Sequence, residues 1–249
     1  MLLAERSGSL LAHVDVAPFT DDCTPPVRGF LHRPAAPCRN ALVLAHGAGS
    51  NCEAPLLVAL AGVFADAGFT VLRCDLPYRQ KRAHGPPSHV DGAKDREGLR
   101  NAVNALRRIE PKNSSARIFL GGHSYGGRQA TMLAAEDPGV VSGLLLLSYP
   151  LHPPRQPSQQ RTAHFPSLRT PALFVQGTRD PFGSVEEMRL ALQLILARTS
   201  LLALDGAGHD LFSGRRTRRG GADIVNEIPR RLLGAFCVFF EPETSSAGR

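Results

Sequence analysis

Three observations predict an α/β fold with a central, mostly parallel sheet and helices on both faces. Short apolar segments alternate with longer segments whose apolar residues recur at helical spacing. The short segments, such as "ALVLA", "GLLLL" and "ALFV", are apolar throughout, as strands covered on both faces must be. Two opening segments are joined only by a turn-rich connection, so they are expected to pair antiparallel at one edge.

The opening strands are "SLLAHVDV" (9–16) and "VRGFLHRP" (27–34), linked by "PFTDDCTPP". "ALVLAHGAG" (41–49) is a buried strand running into glycines. "APLLVALAGVFADAG" (54–68) is a helix with a Gly stop. "FTVLRCDLP" (69–77) is a strand ended by Pro, and "YRQKRAHGPPSH" (78–89) is a loop. "KDREGLRNAVNALRRI" (94–109) is an amphipathic helix, "ARIFLGG" (116–122) a strand, and "SYGGRQATMLAAED" (124–137) a helix stopped by Pro138. "GLLLLSYP" (143–150) and "ALFVQG" (172–177) are strands. Between them, 149–171 is Pro- and Gln-rich without clear period; "AHFPSL" is expected to form a turn of helix, and the segment is too short for a large cap. "SVEEMRLALQLILAR" (184–198) is a helix with a Ser cap and early Glu residues. "SLLALDGAGH" (200–209) is a strand and glycine loop, and "ADIVNEIPRRLLGAFCVFF" (222–240) is a helix bent near Pro229. The whole is read as one domain, 1–249, with its core at about 25–240 and a disordered tail at 241–249.

Bulk properties exclude several function classes. With 43% hydrophobic and 20% charged residues in 249, the chain is globular. Its five cysteines are dispersed with no C-x-x-C pair, which argues against a disulfide framework and a zinc site. The start, "MLLAERSGSLLAHV", lacks a basic region before its apolar residues, so no signal peptide is expected. No apolar run is long enough to span a bilayer, and the cytoplasm is the expected compartment. The net charge is +7, but the one dense basic run, "GRRTRRGG" (214–221), has no interleaved aromatics and no nucleic-acid motif around it. The expected partner is a small acyl substrate, drawn in by positive charge where it is anionic, with neither nucleic acid nor membrane.

The segment "GGHSYGGR" (121–128) carries the chemistry. One reading is a tight turn in which glycine is filler. The other is a nucleophile elbow, because Gly122-His123-Ser124-Tyr125-Gly126 follows a strand and opens a helix. Gly122 and Gly126 would let strand and helix pass closely, projecting the Ser124 hydroxyl beyond the strand end. A serine hydroxyl needs a base, and the base needs an orienting acid. His209, in the glycine loop "DGAGHDLF", is the candidate base. Asp180, just past a strand end in "LFVQGTRDPF", is the candidate acid. Asp205 and Asp210 are rivals that flank His209 too closely in the chain to face its ring easily. The chain order Ser124, Asp180, His209 is that of strand-end serine hydrolases. An oxyanion needs donors, and the backbone N–H groups of Tyr125 and Ala48 are the candidates, Gly49 being the alternative to Ala48, with Gly47 and Gly49 keeping the "HGAGSN" loop bare.

"LVLAHGAG", "GGHSYGGR", "LFVQGTRDPFG" and "DGAGHDLF" together resemble the α/β-hydrolase fold, in its dienelactone-hydrolase-like branch. With "DLPYR" and "SYPLHPP", the chain is similar to a group of bacterial proteins related to testis-expressed and histone-acetyltransferase-complex hydrolase-like proteins. The resemblance covers about 25–240. It implies a central eight-stranded, mostly parallel sheet and a Ser-Asp-His triad. Dienelactone hydrolases proper use a Cys where this chain has Ser124, which speaks against lactone substrates.

Ligands of open α/β sheets bind outside the carboxyl ends of the strands. Tyr78, Tyr125 and Tyr149 all follow strands at that edge, so Tyr78 and Tyr149 are expected in the pocket wall. Arg79, with Lys81 and Arg82, is expected to form a basic rim favouring an anionic group. His123, inside the elbow, is expected to pack against its neighbours; His46, His152 and His164 lack metal-ligand spacing, so neither metal nor cofactor is expected. The leading function is a serine hydrolase acting on a small ester or thioester through an acyl-enzyme. Alternatives are a peptidase or amidase with the same triad, and a non-catalytic interaction module.

Overall fold

The computed structural model describes residues 14–109, 116–211 and 221–241. Eight strands form one sheet: β1 (Asp15–Asp21), β2 (Val27–Arg33), β3 (Asn40–Ala45), β4 (Thr70–Cys74), β5 (Arg117–His123), β6 (Gly143–Leu147), β7 (Ala172–Gly177) and β8 (Thr199–Leu204). Their spatial order is β1-β2-β4-β3-β5-β6-β7-β8. The β1–β2 and β2–β4 pairs are antiparallel, and every other pair is parallel. The helices are α1 (Pro55–Asp66), α2 (Pro77–Lys81), α3 (Asp91–Ile109), α4 (Tyr125–Glu136), α5 (Val185–Leu192) and α6 (Gly221–Phe240).

Alternation along each strand divides the core in two. Val43, Leu120, Leu144 and Leu146 pack with Leu99 and Val103 of α3, Leu133 of α4 and Met188 of α5. Leu42, Leu44, Leu145 and Leu147 face the other way, onto Leu57 and Phe64 of α1 and Leu232 and Phe236 of α6. There Phe236 meets Phe64 and Phe119 edge-on at 5.1 and 4.8 Å between ring centroids. Removing such a buried ring costs about 3–5 kcal/mol. The carboxyl ends of the parallel strands all lie at one edge, where loops carry the chain to Gly47, Ser124, Asp180 and His209.

Several boundaries differ from the sequence reading. The first strand is Asp15–Asp21, six residues later than its predicted start, and it runs through Pro18 and Phe19, which were read as turn. An edge strand tolerates Pro because one row of its N–H groups needs no ladder partner. Residues 9–13 of the predicted strand lie outside the described residues, as do 214–220 of the basic run and 242–249 of the tail. Helix α2, predicted as loop, spans five residues with Pro77 at its first turn. The Tyr78 N–H at its start donates to the Asp95 carboxylate at 3.0 Å. Helix α5 stops at Leu192 although apolar residues continue at helical spacing. Beyond it Ile195 still reaches the core, while Leu194 and Leu196 are exposed. Its start has the expected cap: Ser184 and Glu187 form a reciprocal capping box. Between β6 and β7 the only regular element is a 3₁₀ turn at Phe165–Ser167, inside the predicted "AHFPSL". Among the described residues no helix is long and apolar enough to cross a membrane.

Candidate active site

Ser124 stands between β5 and α4 with φ 50° and ψ −113°, a strained conformation for a residue with a side chain. The strand and helix that enforce it are almost in contact. A Cβ on Gly122 would lie 2.4 Å from the Gly127 nitrogen, and one on Gly126 would lie 2.6 Å from the His46 carbonyl oxygen. Only glycine fits at either position, so the two glycines are conditions for the turn and not filler.

At the same edge the elbow meets the loops that follow β7 and β8. His209 Nε2 is 2.8 Å from Ser124 Oγ. His209 Nδ1 is 3.0 and 2.9 Å from the two Asp180 carboxylate oxygens. A carboxylate accepts, so Nδ1 carries the proton and Nε2 is left to accept from the serine hydroxyl. The Asp180 side chain is fully buried, and the Phe182 N–H donates to its Oδ1 at 2.9 Å. The Phe182 ring lies over the imidazole at 4.2 Å between centroids. Close packing sets the two loops against each other: a Cβ on Gly177 would be 2.3 Å from the Ala207 carbonyl oxygen, and Arg179 N–H donates to that same oxygen at 2.9 Å. Buried Leu211 anchors the loop behind His209. Of the rival acids, Asp205 accepts instead from the Thr178 hydroxyl at 3.3 Å.

His123 was expected only to pack against its neighbours. Its Nε2–H donates to the His209 carbonyl oxygen at 2.7 Å, so the elbow also grips the backbone of the imidazole loop. Burial holds the His123 pKa below its usual value, which keeps the ring neutral.

Facing Ser124, the loop after β3 is fixed from behind. The Gly47 carbonyl accepts from His46 Nδ1 at 2.8 Å, from Ser50 N–H at 3.1 Å and from the Tyr78 hydroxyl at 3.3 Å. The Ala48 carbonyl accepts from Tyr78 at 2.9 Å and from Arg79 at 3.0 Å. In a trans peptide the N–H points opposite to the preceding C=O. The Ala48 and Gly49 N–H groups are therefore turned away from Tyr78. Gly47 is close to the nucleophile, since a Cβ there would sit 3.5 Å from the Ser124 Cβ. The Tyr125 N–H is the first of α4, where helix geometry provides no internal acceptor.

A cavity of about 480 Å³ opens over Ser124, lined by Gly47, Ala48, Gly49, Tyr125, Phe182 and His209 among others. Tyr78, Arg79 and Tyr149 do not line it. Tyr78 and Tyr149 are buried behind the wall, with the Tyr149 hydroxyl donating to the Arg161 carbonyl at 2.7 Å. Arg79 is 7% exposed, and its guanidinium donates to the carbonyls of Ala48, Ser50, Arg82 and Gly85. Arg82 pairs with Asp91 at 2.7 Å. The expected rim is thus a brace: strand-end position predicted proximity, but burial turned these side chains inward. In their place the cavity is lined by Arg128 and Arg161. Arg128 was legible as the residue one helical turn after Ser124; Arg161 had no local signal. Asp95, also missed, accepts from the Tyr125 hydroxyl at 2.7 Å and ties α3 to the elbow. Burial is the main cause of its raised pKa. Among the described residues no group of three or more His, Cys, Asp or Glu is placed to hold a metal.

The family model for the alpha/beta hydrolase domain matches residues 38–233, most of the chain. The chain belongs to that family. This α/β hydrolase also superposes on solved structures of low sequence identity. An α/β serine hydrolase homologue from Coxiella burnetii is 17% identical, with a TM-score of 0.67 over 88% of this chain and 96% of that one. A dienelactone hydrolase from Anabaena variabilis is 19% identical, with a TM-score of 0.67 over 91% and 98%. A lidless α/β serine hydrolase from Xanthomonas campestris is 16% identical, with a TM-score of 0.67 over 92% and 96%. These likenesses establish the α/β-hydrolase fold.

Proposed function

We propose that the protein is a serine hydrolase that cleaves a small ester or thioester through an acyl-enzyme. The observation that carries this reading is the continuous relay from Ser124 Oγ to His209 at 2.8 Å and on to buried Asp180 at 2.9 Å. Ser124 attacks the carbonyl carbon while His209 Nε2 takes the hydroxyl proton. Asp180 holds the imidazole in the required tautomer and stabilises the imidazolium. The carbonyl oxygen becomes an oxyanion against the N–H groups of Ala48 and Tyr125. As the tetrahedral intermediate collapses, His209 protonates the departing alcohol or thiol. Water, deprotonated by His209, then attacks the acyl carbon and releases the acid, returning the proton to Ser124.

A thiolate nucleophile has no counterpart here, because Ser124 stands at the elbow, so the reading favours acyclic esters over the lactones of dienelactone hydrolase. "DLPYR" and "SYPLHPP" support, on this reading, a kinship with the testis-expressed-like bacterial group. These segments supply the Tyr78–Arg79 brace and buried Tyr149. Five unpaired thiols support a reducing cytoplasm as its compartment.

A fluorophosphonate probe tests the proposal. Wild type is expected to gain one stoichiometric adduct on the tryptic peptide 118–128, and Ser124→Ala none. Well-folded wild type that remains unlabelled would refute the hydrolase reading and leave the interaction module.

A further inference from the structure

Arg128 and Arg161 are the cations at the cavity, and neither has an ion-pair partner among the described residues. Arg128 lies in the first turn of α4, and it lines the same cavity as Ser124. Its Nε is buried without a hydrogen-bond partner. Arg161 is fixed from two directions: its N–H donates to the Leu151 carbonyl at 2.7 Å, and its own carbonyl accepts the Tyr149 hydroxyl. Of its guanidinium, Nη1 reaches the Pro150 carbonyl at 3.2 Å. Both arginines also line a second hollow of about 700 Å³, next to the first and sharing Pro87 and Tyr125 with it. The guanidiniums thus stand where the two spaces meet.

The nearby acids are already engaged. Asp95 accepts from Tyr78 N–H and the Tyr125 hydroxyl, and Glu136 pairs with Arg96 at 2.9 Å. The local field is consequently positive. Burial and then Arg128 lower the Arg161 pKa, and burial, Arg128 and Arg96 bring His164 down to about 4. Two like charges, partly desolvated and one with an unpaired buried donor, form an arrangement that an oxyacid anion would complete. Guanidinium forks match carboxylate and phosphate geometry, and charge-assisted bonds of this kind are the strong ones.

We infer that Arg128 and Arg161 form an anion subsite that selects esters or thioesters bearing a second acid group, a carboxylate or phosphate, remote from the scissile carbonyl. This inference rests on the serine-hydrolase reading and names its substrate class.

The test is a ratio: kcat/KM for the p-nitrophenyl monoester of glutarate over kcat/KM for its methyl-capped neutral counterpart. An unfolded fraction cancels from this ratio, so partial misfolding of a variant does not mask the result. Arg128→Gln and Arg161→Gln are each expected to lower the ratio about 10- to 100-fold, the range for a lost hydrogen bond to charge. Arg82→Gln, whose charge already meets Asp91, is expected to leave it alone. A phosphonate analogue of the glutarate ester distinguishes the two acid groups. A ratio that moves by less than about twofold in both variants, or equally in Arg82→Gln, overturns the subsite while the hydrolase reading stands. If no ester is turned over and the fluorophosphonate does not label wild type, the hydrolase reading fails by itself. Calorimetric titration with glutarate and with inorganic phosphate then decides the subsite. Binding lost in both variants supports it, and no binding to wild type refutes it.

Discussion

The two sides of the cavity over Ser124 are built differently. On one side, Ser124, Asp180 and His209 present reactive atoms to one another within 3.0 Å. Gly122 and Gly126 at the elbow, and Gly177 where the Asp180 and His209 loops meet, admit no Cβ. On the other side, the residues nearest the strand ends, Tyr78, Arg79 and Tyr149, turn inward and hold backbone carbonyls. The groups that face the cavity there come from a helix turn and from the long crossover. Reaction chemistry is therefore concentrated in short local motifs. Substrate contact depends on segments brought together only by the finished fold.

The largest expected contrast is between the triad and the brace. Asp180→Asn should lower kcat by about 10⁴-fold, because the amide favours the wrong imidazole tautomer. Tyr78→Phe keeps the ring but removes the hydroxyl from the Gly47 and Ala48 carbonyls. Those oxygens retain other donors, so kcat should fall only about five- to tenfold. Steady-state kinetics on a neutral ester reads both. Equal losses would erase the distinction between reacting and bracing residues.

Next in size is a scaffold effect. Gly122→Ala places a methyl group 2.4 Å from the Gly127 nitrogen and 2.5 Å from the Gly126 carbonyl carbon, with backbone on both sides and no flexible neighbour to move. It should destabilise the fold by about 1–3 kcal/mol or more in urea unfolding and abolish fluorophosphonate labelling. Unchanged stability with full labelling would mean that the elbow does not need this close approach.

The smallest expected effect is on stability against pH. His32 accepts from Arg73 Nε at 2.9 Å, and burial, then Arg73, lowers its pKa to about 4; His164 beside Arg128 is also near 4. Both values lie below that of an unfolded histidine, so the unfolded chain binds more protons as the pH falls. The stability contributed by the neutral rings is complete above about pH 6.5 and is lost as the pH falls from there towards about 4. Urea midpoints at pH 7 and pH 5 should show the loss. His32→Gln, which keeps an acceptor but does not titrate, should reduce it.

The same asymmetry explains what the sequence could say. The glycines around Ser124 were legible because close backbone approach permits no other residue. The order of Ser, Asp and His was legible because each follows an apolar strand. Helix α2 was not, since five residues are too few to display a period. Tyr78 and Arg79 were placed near the right loop but on the wrong side of it, because a strand-end position does not reveal which way a side chain turns. Arg161 was hidden because the crossover has no periodicity, and its place depends on Tyr149 and Leu151. The end of α5 was missed because apolar spacing continued past it, through buried Ile195 and the exposed Leu194 and Leu196.

The central claim is that Ser124 forms a covalent acyl intermediate. Rapid quench of wild type with excess p-nitrophenyl ester, followed by mass spectrometry of the tryptic peptides, tests it most directly. The acyl mass should appear on peptide 118–128 at near stoichiometric level with a matching p-nitrophenol burst, and both should vanish in Ser124→Ala. Turnover that continues at the wild-type rate in Ser124→Ala, or an acyl group found on another peptide, would contradict the account.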